Sequence, residues 1–118
     1  MVPLRTALDL GIRVQVNSDC PTAPTDPLVA LRSAVRRRTS SGRVLGAAEA
    51  ATVREAVHML TAAASRSVFE EDRRGRIVPG MLADLTVLSA DPRTADLDEL
   101  AVEMTVVGGD VVHRAGDW

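Results

Sequence analysis

Apolar and polar residues alternate near the start of the chain in a pattern that predicts a β-strand. Over residues 12–17, three aliphatic side chains alternate with three polar ones, which is the period of two that a half-buried strand shows. Residues 1–10 have apolar positions at helical spacing and are followed by Gly11, a residue that often ends helices. A helix followed by a strand is an αβ step, which predicts a parallel neighbour for the strand.

Two further helices are predicted from their start signals. Asp26-Pro27 combines a capping carboxylate with a proline in the first turn, and the apolar face that follows ends in three arginines at 36–38. Thr52 and Glu55 have the spacing of a capping box, ahead of an apolar face that extends to Ala64.

The last third of the chain favours short strands. Residues 83–88 form one predicted strand, and 104–107 with 110–114 form a predicted hairpin around Gly108-Gly109. The first two-thirds is therefore predicted to be α/β and the last third a separate layer of strands. We expect two units, residues 1–69 and 70–118.

Composition and charge exclude several classes of protein. The 118 residues are 46% hydrophobic and 25% charged, which is ordinary for a soluble globular domain. A net charge of −2 gives no support for a nucleic-acid partner, and no apolar run is long enough for a membrane span. One cysteine excludes an intramolecular disulfide, and no secretory signal is recognisable. A cytoplasmic protein is expected.

Asp19 is the first candidate for chemistry because it follows the end of the predicted strand. Its local sequence leaves two interpretations open: a loop aspartate that bonds backbone amides before Pro21, or a functional carboxylate at a strand end. Gln15 and Asn17, the only glutamine and asparagine of the chain, have the same parity as Asp19 and are expected on the same face. Cys20 has no histidine nearby in sequence and is interpreted as a small packing residue.

The remaining chemistry-bearing residues are interpreted as surface groups. His58 and His113 lie far apart, and no cysteine or carboxylate spacing around them indicates a ligand set. The arginines at 36–38 are expected to be a solvated helix end, since no aromatic residues surround them.

Five stretches, taken in order, resemble the C-terminal end of the metal-dependent amidohydrolase superfamily, in particular the long-chain branch called amidohydrolase family 3. They read LRTALDLGIRVQVNSDCP, DPLVALRSAVRRR, TVREAVHMLTAAA, FEEDRRGRIVPGMLADLTVLSADP and TVVGGDVVHR. The most specific is the pattern G-x-I-x-P-G-x-x-A-D-L-x-V-L over residues 75–88. Ser18-Asp19 ahead of Pro21 is the second.

The resemblance implies a fold, a reaction and a metal. The fold is an α/β fragment: the last strand–helix unit of a TIM-type barrel, followed by a helix and the short strands of a C-terminal β-sandwich. The reaction is hydrolysis of carbon–nitrogen bonds other than peptide bonds in a small amide-type substrate. The cofactor is a divalent metal, with zinc as the first candidate. Asp19 matches the aspartate that ends the eighth barrel strand, which in that family binds the metal and takes a proton from the attacking water.

The chain supplies at most one barrel strand, whereas a TIM barrel takes about 250 residues. We therefore expect a C-terminal segment that is not catalytic and binds no metal alone: a truncated gene product, a domain expressed by itself, or half of a split enzyme. The family usually has small residues where Gln15 and Asn17 stand, so these two either contact substrate or obstruct the site. The alternative is a non-catalytic module that self-associates or docks onto a companion chain, because the predicted strand has no partner.

Overall fold

The computed structural model describes residues 2–116, whose helices and strands follow the predicted order apart from the strand predicted at residues 12–17. In chain order they are α1 (Leu4–Asp9), α2 (Pro27–Arg36), a 3₁₀ turn (Ala47–Glu49), α3 (Val53–Leu60), α4 (Ala62–Ser67), β1 (Leu85–Leu88), β2 (Val102–Val107) and β3 (Asp110–Arg114). The first helix is shorter than predicted, and Met1 of that prediction lies outside the described residues.

Both predicted capping signals are confirmed. The Asp26 carboxylate accepts a hydrogen bond from the Leu28 N–H at 2.9 Å, which satisfies one of the free donors at the start of α2. At the start of α3 the Thr52 hydroxyl accepts the Glu55 N–H at 3.3 Å, and the Glu55 carboxylate accepts the Thr52 N–H at 2.8 Å. This reciprocal pair is a complete capping box.

The helix that was predicted to continue from Thr52 to Ala64 is divided at Thr61. The Thr61 hydroxyl donates to the Val57 carbonyl at 2.7 Å, whereas its backbone N–H bonds the His58 carbonyl at 3.3 Å. The side chain thus takes the carbonyl that the backbone would use in a continuous α-helix. Thr61 has φ −120° and ψ −90°, and α4 begins after it.

The core lies between the helices and the segment that follows β1. Met59 is the largest fully buried side chain among the described residues. Val57, which was predicted on the apolar face of α3, is 37% exposed. The core contains Leu4, Leu28, Leu31, Ala34, Ala51, Ala56, Met59, Leu97 and Leu100. The Arg32 guanidinium bonds the carbonyls of Leu97 and Leu100 at 2.6 and 3.0 Å, so α2 holds this later segment by polar as well as apolar contacts. The proposed division at residue 69 stays a prediction.

The three strands form an antiparallel sheet in the order β1-β2-β3. Leu85 of β1 pairs with Val106 of β2, and β2 turns into β3 at Gly108-Gly109. Both glycines have positive φ, 59° and 94°, a conformation that residues with a Cβ seldom adopt. The predicted hairpin is confirmed.

Residues 12–18, which we call the alternating segment, do not form the predicted strand. Burial does alternate: Val14 and Val16 pack against the core, and Gln15 and Asn17 are exposed. However, the backbone groups of residues 13–18 make no hydrogen bond to any described residue. A β-ladder needs a second strand, and the described part of the chain provides none here. Ile12 departs from the predicted face, since it is 55% exposed.

Candidate functional site

Asp19 directly follows the alternating segment, with its carboxylate exposed. Its backbone N–H donates to Asn17 Oδ1 at 2.8 Å, and its carbonyl accepts the Thr22 N–H at 2.8 Å. The residue has φ 50°, and the next peptide bond but one, Cys20–Pro21, is cis. The carboxylate itself makes no hydrogen bond or ion pair within residues 2–116. Both oxygens are therefore open to a donor or a cation from outside the described residues.

Two open grooves border the alternating segment. The larger, ≈ 910 Å³, extends from residues 11–15 to α3 and α4, and the smaller, ≈ 390 Å³, extends from residues 14–18 to α2. Gln15 lines both grooves, Asn17 lines the smaller one, and Asp19 lines neither. The structure thus brings Gln15 and Asn17 to the borders of the grooves and places Asp19 beyond their end.

The larger groove carries more positive than negative side chains. Its charged lining comprises Arg13, Arg54, Arg66, Arg76 and Glu71, beside His58 and Phe69. Arg66 and Glu71 lie 3.8 Å apart, and the Phe69 ring is 92% exposed. His58 and His113 are exposed. Cys20 was expected to pack but is exposed.

Asp19 has the chemistry of a metal ligand, but the described residues do not complete a metal site. Carboxylate oxygen is a common ligand for zinc and for harder divalent cations. In the described portion, residues 2–116, no group of three or more His, Cys, Asp and Glu side chains could hold an ion.

Helix α1, which leads into the alternating segment, is fixed by two carboxylates. The Arg5 guanidinium donates to both Glu55 oxygens, at 3.1 and 2.7 Å. The Thr6 N–H and hydroxyl donate to Glu49 at 3.0 and 2.7 Å. Hydrogen bonds from Arg5, then from Thr52, lower the pKa of Glu55 to about 2, and those from Thr6 lower the pKa of Glu49.

Two contacts near the site were not foreseen from the sequence. Asn17 was predicted either to contact substrate or to obstruct the site, and this stays a prediction. In addition, its Oδ1 accepts the Asp19 backbone N–H. The Asn-x-Asp spacing, typical of a turn closed by an asparagine side chain, is the signal that could have indicated this bond. Arg36 was predicted to be solvated, but it forms ion pairs with Asp96 and Asp98. Nothing local signals this second contact, because the partners are 60 and 62 residues apart in sequence.

The alternating segment packs Val14 and Val16 against the core, exposes Gln15 and Asn17, and is followed by Asp19. Comparison with known proteins shows the family to which this chain is similar. The sequence profile of the Amidohydrolase family matches residues 1–113. The chain is 36% identical over 116 residues to the putative amidohydrolase YtcJ of Bacillus subtilis (strain 168), covering 93% of this chain and 22% of that protein.

A second relative and a solved structure give the same result. The chain is 37% identical over 112 residues to the N-substituted formamide deformylase of Arthrobacter pascens, covering 92% of this chain and 21% of that enzyme. The crystal structure of an amidohydrolase from Thermotoga maritima MSB8 superposes with a TM-score of 0.70 at 25% identity, over 92% of this chain and 24% of that one.

The chain belongs to the amidohydrolase family. It spans about a fifth of the length of the curated relatives that it matches. None of the helices described in residues 2–116 is long and apolar enough to cross a membrane.

Proposed function

We propose that this chain provides the last strand and the aspartate ligand of an amidohydrolase-type barrel. In the completed protein that barrel hydrolyses carbon–nitrogen bonds, other than peptide bonds, of a small amide-type substrate with the help of a divalent metal, zinc being the first candidate. Residues 1–69 belong to the barrel and residues 70–118 to a β-sandwich beside it. A cytoplasmic location stays a prediction.

One observation carries the proposal: Asp19, whose carboxylate has no partner among residues 2–116, follows six residues whose backbone groups are unpaired within the same range. The backbone groups of residues 13–18 have no partner among the described residues, although Val14 and Val16 are packed against the core. A barrel strand has this character when its two neighbours are absent, since one face lies on helices and both edges await pairing. Catalytic residues of such barrels lie at the carboxyl ends of strands, the position of Asp19.

The proposed role of Asp19 is proton transfer. The metal, when bound, would polarise the amide carbonyl and stabilise negative charge on its oxygen. One Asp19 oxygen would bind the metal. The carboxylate would take the proton that the attacking water loses and deliver it to the leaving nitrogen, which needs that proton to depart as an amine. Gln15, exposed on the same face, is proposed to contact the substrate.

A chimera tests this proposal. This chain would replace the matched segment of the Arthrobacter pascens deformylase, and formate release from an N-substituted formamide would be measured. We expect the chimera to be active when metal is bound. Asp19→Asn should lower its kcat by roughly 10²- to 10⁴-fold. Asp26→Asn is the matched control, because asparagine caps a helix as well as aspartate does. A folded chimera in which Asp19→Asn is as active as the parent would refute the role of Asp19.

Measurements on this chain alone, without a companion chain, distinguish the proposed hydrolase function from the alternative, a non-catalytic association module. The unpaired segment favours association of either kind. We expect no stoichiometric zinc or manganese and no amidase turnover from the chain alone, and these would be measured by metal analysis and product assay. Light scattering that shows a stable dimer, combined with an inactive chimera, would favour the alternative.

A further inference from the structure

Asp19 directly follows the alternating segment, and both of its backbone polar groups are hydrogen-bonded. Its N–H is 2.8 Å from Asn17 Oδ1, and its carbonyl accepts the Thr22 N–H at 2.8 Å. The six residues before it, 13–18, have no backbone hydrogen bond to any described residue. Hydrogen bonds to neighbouring residues therefore hold the backbone conformation of Asp19. No such bonds to described residues hold that of residues 13–18.

The conformation held in this way is an uncommon one. Asp19 has φ 50°, in the left-handed region, which costs a residue with a Cβ about 1–2 kcal/mol relative to the usual regions. Aspartate and asparagine tolerate this region better than most residues. A hydrogen bond from an asparagine side chain to the N–H two residues later offsets part of that cost. Without that bond, the left-handed conformation of Asp19 loses one of its two backbone hydrogen bonds and becomes less favourable relative to extended backbone.

The backbone conformation of Asp19 sets the direction of its Cα–Cβ bond, and with it the region that the carboxylate can reach by side-chain rotation. The carboxylate has no bond to any residue within 2–116, and its side chain is exposed. No packing or side-chain partner therefore directs it. A change from left-handed to extended backbone would rotate the Cα–Cβ bond and carry both carboxylate oxygens to a different place.

We propose that Asn17 is a positioning residue for Asp19. By accepting the Asp19 backbone N–H, its side-chain oxygen holds the direction in which the Asp19 Cα–Cβ bond leaves the backbone, and so the region that the carboxylate can reach. The use of that direction in hydrolysis rests on the function proposed above, but the positioning itself does not. Gln15, the other amide on this face, makes no such bond.

The test is made on the full 118-residue chain by NMR. Two properties of Asp19 are measured: the exchange rate of its amide with water, and the intraresidue HN–Hα NOE, which is strong at positive φ. We expect Asn17→Ala to speed the exchange roughly three- to tenfold and to weaken the NOE. Asn17→Asp, which keeps an acceptor oxygen, should restore both. Gln15→Ala is the matched control and should change neither.

Two results would overturn the inference: an unchanged Asp19 amide and NOE in Asn17→Ala, or an Asn17→Asp variant that behaves as Asn17→Ala does. Unfolding midpoints of all variants are measured alongside, and we expect them to agree because Asn17 is exposed.

In the deformylase chimera, Asn17→Ala should lower kcat with little change in KM, since a misdirected carboxylate impairs the chemical step more than binding. A fall in kcat accompanied by an equally large rise in KM would contradict the positioning role of Asn17. An inactive parent chimera together with the expected NMR result would refute the proposed function and leave the positioning intact.

Discussion

Glu55 shows how one side chain can join two parts of this chain. Its carboxylate caps α3 through Thr52 and accepts both bonds of the Arg5 fork from α1. The capping half of this arrangement was predictable, because Thr52 and Glu55 are three residues apart and their spacing is a local signal. The Arg5 contact was not, since 50 residues separate the two and nothing local indicates that α1 lies beside α3.

The lowered pKa of Glu55 makes a prediction about stability and pH. Its pKa is about 2 in the folded chain and 4.5 ordinarily, so its contribution is complete above pH 4.5 and is lost as the pH falls toward 2. Glu55→Gln keeps a capping-box residue but loses the ion pair. At pH 7 we expect a loss of roughly 1 kcal/mol in the free energy of unfolding, well below the full value of the shift, because the side chain is 33% exposed.

Chemical denaturation from pH 7 to pH 2 checks this expectation. The difference between wild type and Glu55→Gln should shrink to nearly zero at the acid end. Glu99→Gln, a carboxylate outside the ion pairs, serves as the control and should follow the wild type. A difference that persists at pH 2 would contradict the ion-pair explanation.

At the scale of elements, the chain at residue 75 can approach α4 closely only because this residue is a glycine. A Cβ at this position would lie 2.3 Å from Ser65 Oγ and 2.9 Å from Ser65 Cβ, closer than non-bonded atoms approach. Ser65 is itself buried in α4. Gly75 also has φ 94°, so two independent reasons require glycine. It opens the G-x-I-x-P-G pattern that made the sequence recognisable.

Gly75→Ala should therefore destabilise the chain by roughly 2–4 kcal/mol, the sum of overpacking and an unfavourable φ. Gly80 is a matched control, because it has φ 93° but nothing within 4 Å of its Cβ position. Gly80→Ala should cost only about 1 kcal/mol. The measurement is equilibrium denaturation of both variants. Equal losses would show that the contact with Ser65 contributes nothing.

The predicted elements succeeded where their signals were local and failed where a partner was needed. The hairpin and both capped helices follow from turn and cap chemistry within a few residues. The strand predicted at 12–17 did not form, because alternation predicts which face is buried but cannot supply a second strand. Thr61 divided a helix that periodicity alone had continued, since periodicity ignores how a threonine hydroxyl competes for a carbonyl.

At the scale of the whole molecule, the alternating segment is where binding of a companion chain should change hydrogen exchange. Amide hydrogen exchange of residues 13–18 should be fast in the chain alone, because these N–H groups have no partner among the described residues. In the deformylase chimera the same amides should become protected by roughly tenfold or more, as strands pair on both edges.

The amides of β2 are the internal control, since β2 is paired on both sides already and should be equally protected in both proteins. Protection of residues 13–18 in a monomer of the chain alone would contradict the unpaired state. Protection that rises with concentration would instead indicate pairing with a second copy.

The sequence predicted where the candidate site residues lie along the chain and which face they share, but little of the geometry of the site. The placement of Asp19 beyond an alternating run, and the exposure of Gln15 and Asn17, followed from parity. The larger groove did not, because it forms against α3 and α4, which lie far from the alternating segment in sequence.

The exposed thiol of Cys20 has a practical consequence. It is the only cysteine of the chain and neighbours Asp19, so a nitroxide or a fluorophore can be attached there without removing any other residue. Such a probe would report on this end of the segment by its own rotational freedom. A freely tumbling label that slows when a companion polypeptide is added would give an association constant directly.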